Sequence, residues 1–265
     1  MALPIGLETD LRQILRNFRA ANRIMAIPGG TGKALEAWLL MNLAEAARQM
    51  RSWRVTLRNG DGSPLAPGAP FRFPAGQSGI RASNPAGPGF VLLEHTSHPD
   101  RRVELHGGLK WKGRSGATHE CDVSALPASI AVALRSNGGG TPRGLPIAAF
   151  ECKDKTVAGT VDEMRQTLAR LFDLALITQP RSGWSCRMWE AKTNTCWGRR
   201  SSKYVSLFAT GAFGIVRVGA FHSGANYLGQ HYSICRFGSV YDPSKNTIEA
   251  ITDVFRSALA ALHTY

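Results

Sequence analysis

The chain is short of acid: 19 Asp and Glu stand against 32 Lys and Arg in 265 residues, a net charge of +13 and a pI near 10.1. A polyanion suits that imbalance, and nucleic acid is the commonest one. No Cys-x-x-Cys pair occurs among the five cysteines, an odd number. That argues against a disulfide framework and points to reduced thiols and a cytoplasmic setting. No apolar run approaches the roughly 18 residues of a membrane span. The start, Met1 to Asp10, lacks the basic-then-apolar layout of a secretory signal. Hydrophobic residues, at 43%, are ordinary for a globular protein, and the length suffices to bury a core.

Two tempting motifs are incomplete. Ile27-Pro-Gly-Gly-Thr-Gly-Lys33 has Ile27 where a P-loop needs glycine and Ala34 where it needs Ser or Thr, so it reads as a turn leading into a helix. His95 and His98 have no further ligands nearby at zinc spacing.

Periodicity predicts a helix over 9–25, capped by Thr9, with Leu11, Ile14, Leu15 and Phe18 on one side. Arg12, Arg16, Arg19 and Arg23 line another side, either as a stripe for a phosphate backbone or as a solvated face. A second helix, 32–50, has Leu35, Leu39, Leu40, Leu43 and Ala47 as its apolar face and Glu36 in its first turn. An acid there either answers the helix dipole or serves a site. Strands are predicted over 53–57, 90–94, 101–111, 118–123 and 146–153, with a short helix over 126–134. Residues 61–89, crowded with Pro and Gly, read as an irregular surface insertion. Thr160 and Glu163 form a capping box at the head of a helix running to about 177. A loop over 181–203 interleaves Trp184, Trp189 and Trp197 with Arg187, Lys192, Arg199 and Arg200. Such a loop suits stacking on bases and contact with phosphates, or its tryptophans anchor it to the core. A strand pair over 204–210 and 214–220, then a Gly-rich turn, and a helix over 244–263 close the chain.

Chemistry concentrates at Pro146-Ile-Ala-Ala-Phe-Glu-Cys-Lys153. On a strand Glu151 and Lys153 share one face and Phe150 and Cys152 the other. Charges at the end of a buried strand are costly unless used or paired. On the strand before, Thr118, Glu120 and Asp122 share a face, opposite His119 and Cys121. Two carboxylates on one face require a cation, a shared proton or solvent.

Taken in order, Glu36 on a helix, Asp122 on a strand, and Glu151-x-Lys153 on the next strand with a helix after it resemble the PD-(D/E)xK nuclease superfamily, the restriction-endonuclease-like phosphodiesterases. The resemblance covers about residues 32–210, and Cys121 stands where the family motif has Pro. It implies an α/β fold with a restriction-endonuclease-like core, a mixed central β-sheet flanked by helices. The N-terminal basic helix, 1–31, would be appended to a nuclease domain over 32–265. The implied activity is a Mg²⁺-dependent endonuclease (Mn²⁺ substituting) that hydrolyses phosphodiesters of DNA in bacterial restriction or anti-phage defence, without a membrane partner. Asp122, Glu151, Glu36 and the main-chain carbonyl of Cys152 would hold the metal. Lys153 would position or deprotonate the water, and Gln166 on the following helix would assist. Glu120 is a candidate for a second ion, and Asp154 is a rival to Glu151. A homodimer would cut both strands of a duplex. Three alternatives stay open: a catalytically silent nucleic-acid-binding module on the same fold, a nuclease subunit activated only by a partner protein or signalling ligand, and a buried Glu151–Lys153 ion pair in an unrelated α/β domain.

Overall fold

Short apolar runs separated by Pro- and Gly-rich turns make the strands, and amphipathic stretches make the helices that cover them. The computed structural model describes residues 5–21, 31–174 and 211–262, and three short strands between the last two stretches. In chain order the helices are α1 (Ile5–Asn17), α2 (Thr31–Gln49), α3 (Ala128–Ser136), α4 (Val161–Leu174), α5 (Ser223–His231) and α6 (Thr247–Ala261). The strands are β1 (Trp53–Arg58), β2 (Ile80–Arg81), β3 (Phe90–His95), β4 (Arg102–Lys112), β5 (Thr118–Pro127), β6 (Gly139–Gly140), β7 (Ala148–Lys153), β8 (Ile177–Thr178), β9 (Arg187–Trp189), β10 (Cys196–Trp197), β11 (Ala212–Arg217) and β12 (Cys235–Phe237).

Seven strands form one sheet in the order β1-β3-β4-β5-β7-β11-β12. Neighbours from β1 through β7 run antiparallel, and β7, β11 and β12 run parallel. Parallel neighbours need a crossover, supplied by α4 between β7 and β11 and by α5 between β11 and β12. The protein is therefore α/β, with a mixed central sheet flanked by helices.

Both faces of the sheet are covered. On one side a core holds Leu11, Leu15, Leu39 and Leu43 of α1 and α2, Phe255 and Leu259 of α6, and Val123, Ala125 and Phe150 of the sheet. The second core lies on the other side, with Met164, Leu171 and Leu174 of α4 and Ala225 of α5 against Leu109, Trp111, Ala149, Phe213 and Ile215. Burial from both sides is why β11 is apolar throughout its middle and buried at every residue, without an alternating pattern. The N-terminal helix shares the first core, with Leu7, Leu11, Ile14 and Leu15 all buried.

Three sequence expectations shift. The first helix ends at Asn17, eight residues early, because Arg19 adopts a left-handed φ of 56°. The amide of Ala20 donates to Leu15 O at 2.9 Å and that of Arg19 to Arg16 O at 2.8 Å, the Schellman pattern that closes a helix. Arg12 and Arg16 therefore lie on α1, Arg19 forms its stop, and Arg23 lies outside the described residues, so the arginines do not make one helical stripe. Within 61–89 the one strand, β2, pairs with β6, Ile80 against Gly140 and Arg81 against Gly139. The Gly-rich stretch after β11, expected as a turn, forms α5 and β12. Gly229 is there for close approach: a Cβ on it would lie 2.7 Å from Arg236 Cδ and 3.0 Å from Ile234 O.

The strand expected at 204–210, and Lys192, Arg199 and Arg200 of the Trp/Arg loop, lie outside the described residues, and Arg187 is described only as backbone of β9. Among the described residues no helix is long and apolar enough to cross a membrane.

Candidate functional site: an acid and base cluster where two strands part

The ladder between β5 and β7 is three pairs long: Ala125 with Ala148, Ser124 with Ala149, and Val123 with Phe150. It stops where the acids begin. One residue past it on each strand stand Asp122 and Glu151, and the amide of Cys152, with no β5 carbonyl opposite, donates to Asp122 Oδ2 at 2.7 Å.

Which side these acids take is decided by a break in alternation. Val103 and Leu105 of β4 pack in the α2-side core, whereas Leu109 and Trp111 pack in the α4-side core. Between them Gly108, at φ 57°, resets the pleat. Opposite it on β5, Val123 faces α2 and Cys121 faces α4. His119, on the Cys121 side, reaches Asp173 of α4 at 2.6 Å. Glu120 and Asp122 are thereby turned toward α2, which carries Glu36 and Lys33.

Glu36 and Asp122 are buried, and Glu120 and Glu151 nearly so. Lys33 Nζ lies 2.8 and 2.7 Å from the two oxygens of Glu36 and 3.9 Å from Glu120 Oε1. Glu151 is held from two sides, Lys153 Nζ at 2.5 Å from Oε1 and Arg170 Nη1 of α4 at 2.7 Å from Oε2. Four carboxylates and three cations thus meet at the parting of β5 and β7.

The crowding of like charge shows in the protonation equilibria. Burial, then the charges of Glu151 and Glu36, push the Asp122 carboxyl up to about 7, against the opposing bond from Cys152. Burial also raises Glu36 and Glu120, although Lys33 pulls both the other way. For Lys33, burial disfavours the charge, but the Glu36 bond and the surrounding acids outweigh it and the ammonium is held more tightly than usual. The thiols of Cys121 and Cys152 are pushed up by burial and by these acids, so neither is a ready thiolate nucleophile.

The donor set fits a hard divalent cation in its chemistry. All four acids offer carboxylate oxygens, Glu120 Oε1 is buried with no hydrogen-bond partner among the described residues, and Asp122 is kept near neutrality by burial and then by its acidic neighbours, a burden a dication would relieve. Among the described residues no three His, Cys, Asp or Glu side chains form a ready-made metal-ligand group, the acids being turned to Lys33, Lys153 and Arg170 instead.

Of the expected site residues, Glu36, Asp122, Glu151 and Lys153 come together, and Cys152 contributes its amide. Gln166 does not join them: it is exposed on α4, and Arg170, one turn further along the helix, makes the contact with Glu151. Asp154 lies past the end of β7. Arg12 is paired with Glu8 at 2.6 Å, and Arg16 is exposed. Lys33 and Arg170 were legible only as basic residues three before Glu36 on a helix and one turn after Gln166.

Beside the cluster a second ionic group ties the helix to the sheet. Arg217, fully buried at the end of β11 and paired in register with Lys153, bonds Glu163 Oε2 of α4 at 2.5 Å. Its Nη2 donates to Val157 O and its guanidinium lies 5.3 Å from the Phe221 ring. Arg217 thus pins the loop that follows Lys153. The same Glu163 donates its amide to Thr160 Oγ1 at 3.3 Å, half of the expected capping box.

The fold and cluster define an α/β domain with a buried acid-and-base site at an opening of its central sheet. Compared with known proteins, the chain matches no family model, no curated protein and no solved structure.

Proposed function

We propose that the protein is a metal-dependent nuclease on a restriction-endonuclease-like core, hydrolysing phosphodiester bonds of DNA and serving restriction or anti-phage defence. The observation that carries this reading is the meeting of Asp122, Glu151, Lys153 and Glu36 where β5 and β7 part. Further support comes from the element order: α2 with Glu36, then five strands antiparallel in succession across the sheet (β1, β3, β4, β5 and β7), the last two carrying Asp122 and Glu151, then the crossover helix α4 and the parallel strand β11. The excess of basic residues supports a polyanionic substrate.

Asp122, Glu151, Glu36 and the Cys152 carbonyl are the groups to hold Mg²⁺ or Mn²⁺, which when bound would neutralise charge on the phosphate and acidify a water. The chain's own residues prepare the rest. The Cys152 amide fixes the rotamer of Asp122, and Arg170 holds one oxygen of Glu151 so that the other is directed at Lys153. Lys153 Nζ is the group to orient the attacking water and to offset charge developing on the phosphate oxygens.

A second reading, a silent nucleic-acid-binding module, draws on one observation: both oxygens of Glu151 are already engaged by cations. Incubation with plasmid, linear and single-stranded DNA and with RNA, with and without Mg²⁺ or Mn²⁺, separates the two. The nuclease reading expects metal-dependent products, reduced about 100-fold or more in Lys153→Ala with binding retained. Retardation of DNA without products in either metal favours the module, and cleavage only after a partner is added favours an activated subunit. Lys153→Ala cutting as fast as the parent would remove Lys153 from its role.

A further inference from the structure

Lys33 has no part in the proposed hydrolysis, yet it holds the most crowded position in the cluster. It stands in the first turn of α2, three residues before Glu36, with its ammonium on both Glu36 oxygens and 3.9 Å from Glu120 Oε1. That Glu120 oxygen is buried and accepts no hydrogen bond among the described residues. Glu151 has two cations of its own, Lys153 and Arg170, so on the α2 side Lys33 is the cation that contacts Glu36 and the one within ion-pair distance of Glu120, which Arg170 and Lys110 influence from further away. With all four acids ionised, as a bound dication would favour, the three ion-paired bases leave them one positive charge short of neutrality. A dication added with Lys33 in place would overshoot by one, and a dication in exchange for Lys33 makes the balance even. Two like charges within a few ångströms in a partly dry pocket repel strongly, so the exchange is favoured over sharing. Lysine suits such a role, because its compact charge rides on a flexible stem that releases more easily than a bidentate guanidinium.

We propose that Lys33 is a placeholder cation, which fills the Glu36–Glu120 side of the cluster in the metal-free protein and is displaced when a divalent ion enters. The inference rests on the metal of the nuclease reading but not on cleavage. Once displaced, Lys33 remains tethered to the first turn of α2, with its ammonium free for a substrate phosphate.

The test is metal binding by the full chain without nucleic acid, reading free Mn²⁺ by electron paramagnetic resonance and heats by titration calorimetry. Lys33→Met is expected to bind Mn²⁺ about tenfold more tightly than the parent, the loss of one competing ion pair of about 1.4 kcal/mol. Lys33→Arg, which keeps the charge and grips Glu36 with a fork, is expected to bind as weakly as the parent or more so. Glu36→Gln introduced into Lys33→Met should abolish the gain. If the parent binds Mn²⁺ and Lys33→Met binds no tighter, the placeholder role is overturned while the metal reading stands. If neither binds Mn²⁺ at millimolar concentration, both fall. A gain that survives Glu36→Gln places the ion elsewhere and also overturns the proposal. Far-UV circular dichroism checks folding, and Lys33→Gln carries the same expectation should Lys33→Met fail to fold.

Discussion

Asp122→Asn isolates the cost of gathering these acids. The Asp122 carboxyl rises from 3.8 to about 7, mainly through burial and then through Glu151 and Glu36. At about 1.4 kcal/mol per unit, that displacement corresponds to about 4 kcal/mol of strain in the ionised, metal-free protein. The folded protein keeps this proton until about pH 7, whereas the unfolded chain releases it near 3.8. Between those values unfolding releases a proton, so rising pH favours the unfolded state. The contribution is fully present below 3.8 and lost above about 7, opposite in sign to an acid stabilised by an ion pair. From pH 5 to pH 8 the parent should lose about 3 kcal/mol through this group, or about 6–12 °C in Tm. Asparagine still accepts the Cys152 amide through its carbonyl oxygen and carries no charge. In the absence of metal it should therefore flatten the pH dependence by that amount and melt higher than the parent at pH 8. Millimolar Mg²⁺ should raise the parent's Tm and leave the variant's unchanged. Thermal melts at pH 5, 6, 7 and 8 with chelator and with Mg²⁺ provide the measurement. An Asn variant that melts at or below the parent at pH 8, with an unchanged slope against pH, would refute the reasoning.

Two further substitutions probe what shapes the site. Glu163→Gln retains the amide that caps α4 but leaves the buried guanidinium of Arg217 without its carboxylate, an expected loss of about 3 kcal/mol in urea unfolding. A loss under about 0.5 kcal/mol would mean that the pair is not structural. Gly108→Ala forces an L-residue to φ 57°, with its Cβ 3.2 Å from Gly76 O, and should cost about 1–2 kcal/mol. Because Gly108 resets the pleat opposite Asp122, the variant should also weaken metal binding. Unchanged melting and unchanged Mn²⁺ affinity would show that the break is set elsewhere.

Much of the framework was legible in the chain. The helical period of Leu35, Leu39, Leu40 and Leu43 located α2 to within a residue at each end, and the capping pair Thr160 and Glu163 located the start of α4. The apolar run ending in Glu151 and Lys153 announced a buried strand with paired charges at its end, because charged side chains at such a place need partners. Local rules failed where long-range contacts override them. Arg19 in a left-handed conformation ends α1 against its own periodicity, and the chain there is tied to a distant segment, the Gly68 amide donating to Arg19 O at 2.8 Å and the Ala21 amide to Ala69 O at 2.9 Å. The glycines of 223–231 look like a turn, yet Gly229 lets α5 pack closely on Arg236, Ile234 and Met164.

The same division runs through the site. The order of residues and its resemblance to the PD-(D/E)xK pattern nominated Glu36, Asp122, Glu151 and Lys153, and buried carboxylates beside an ammonium need a cation, a shared proton or a partner whatever the exact packing. Only the tertiary structure decided that β5 and β7 separate one residue before the acids, that Gly108 turns Asp122 and Glu120 toward α2, and that Lys33 and Arg170 rather than Gln166 complete the cluster. A strand's pattern records which side chains alternate. Which helix covers a face, and which charge ends beside another, is set by how the sheet twists, bulges and is crossed over, and that depends on residues far apart in the chain.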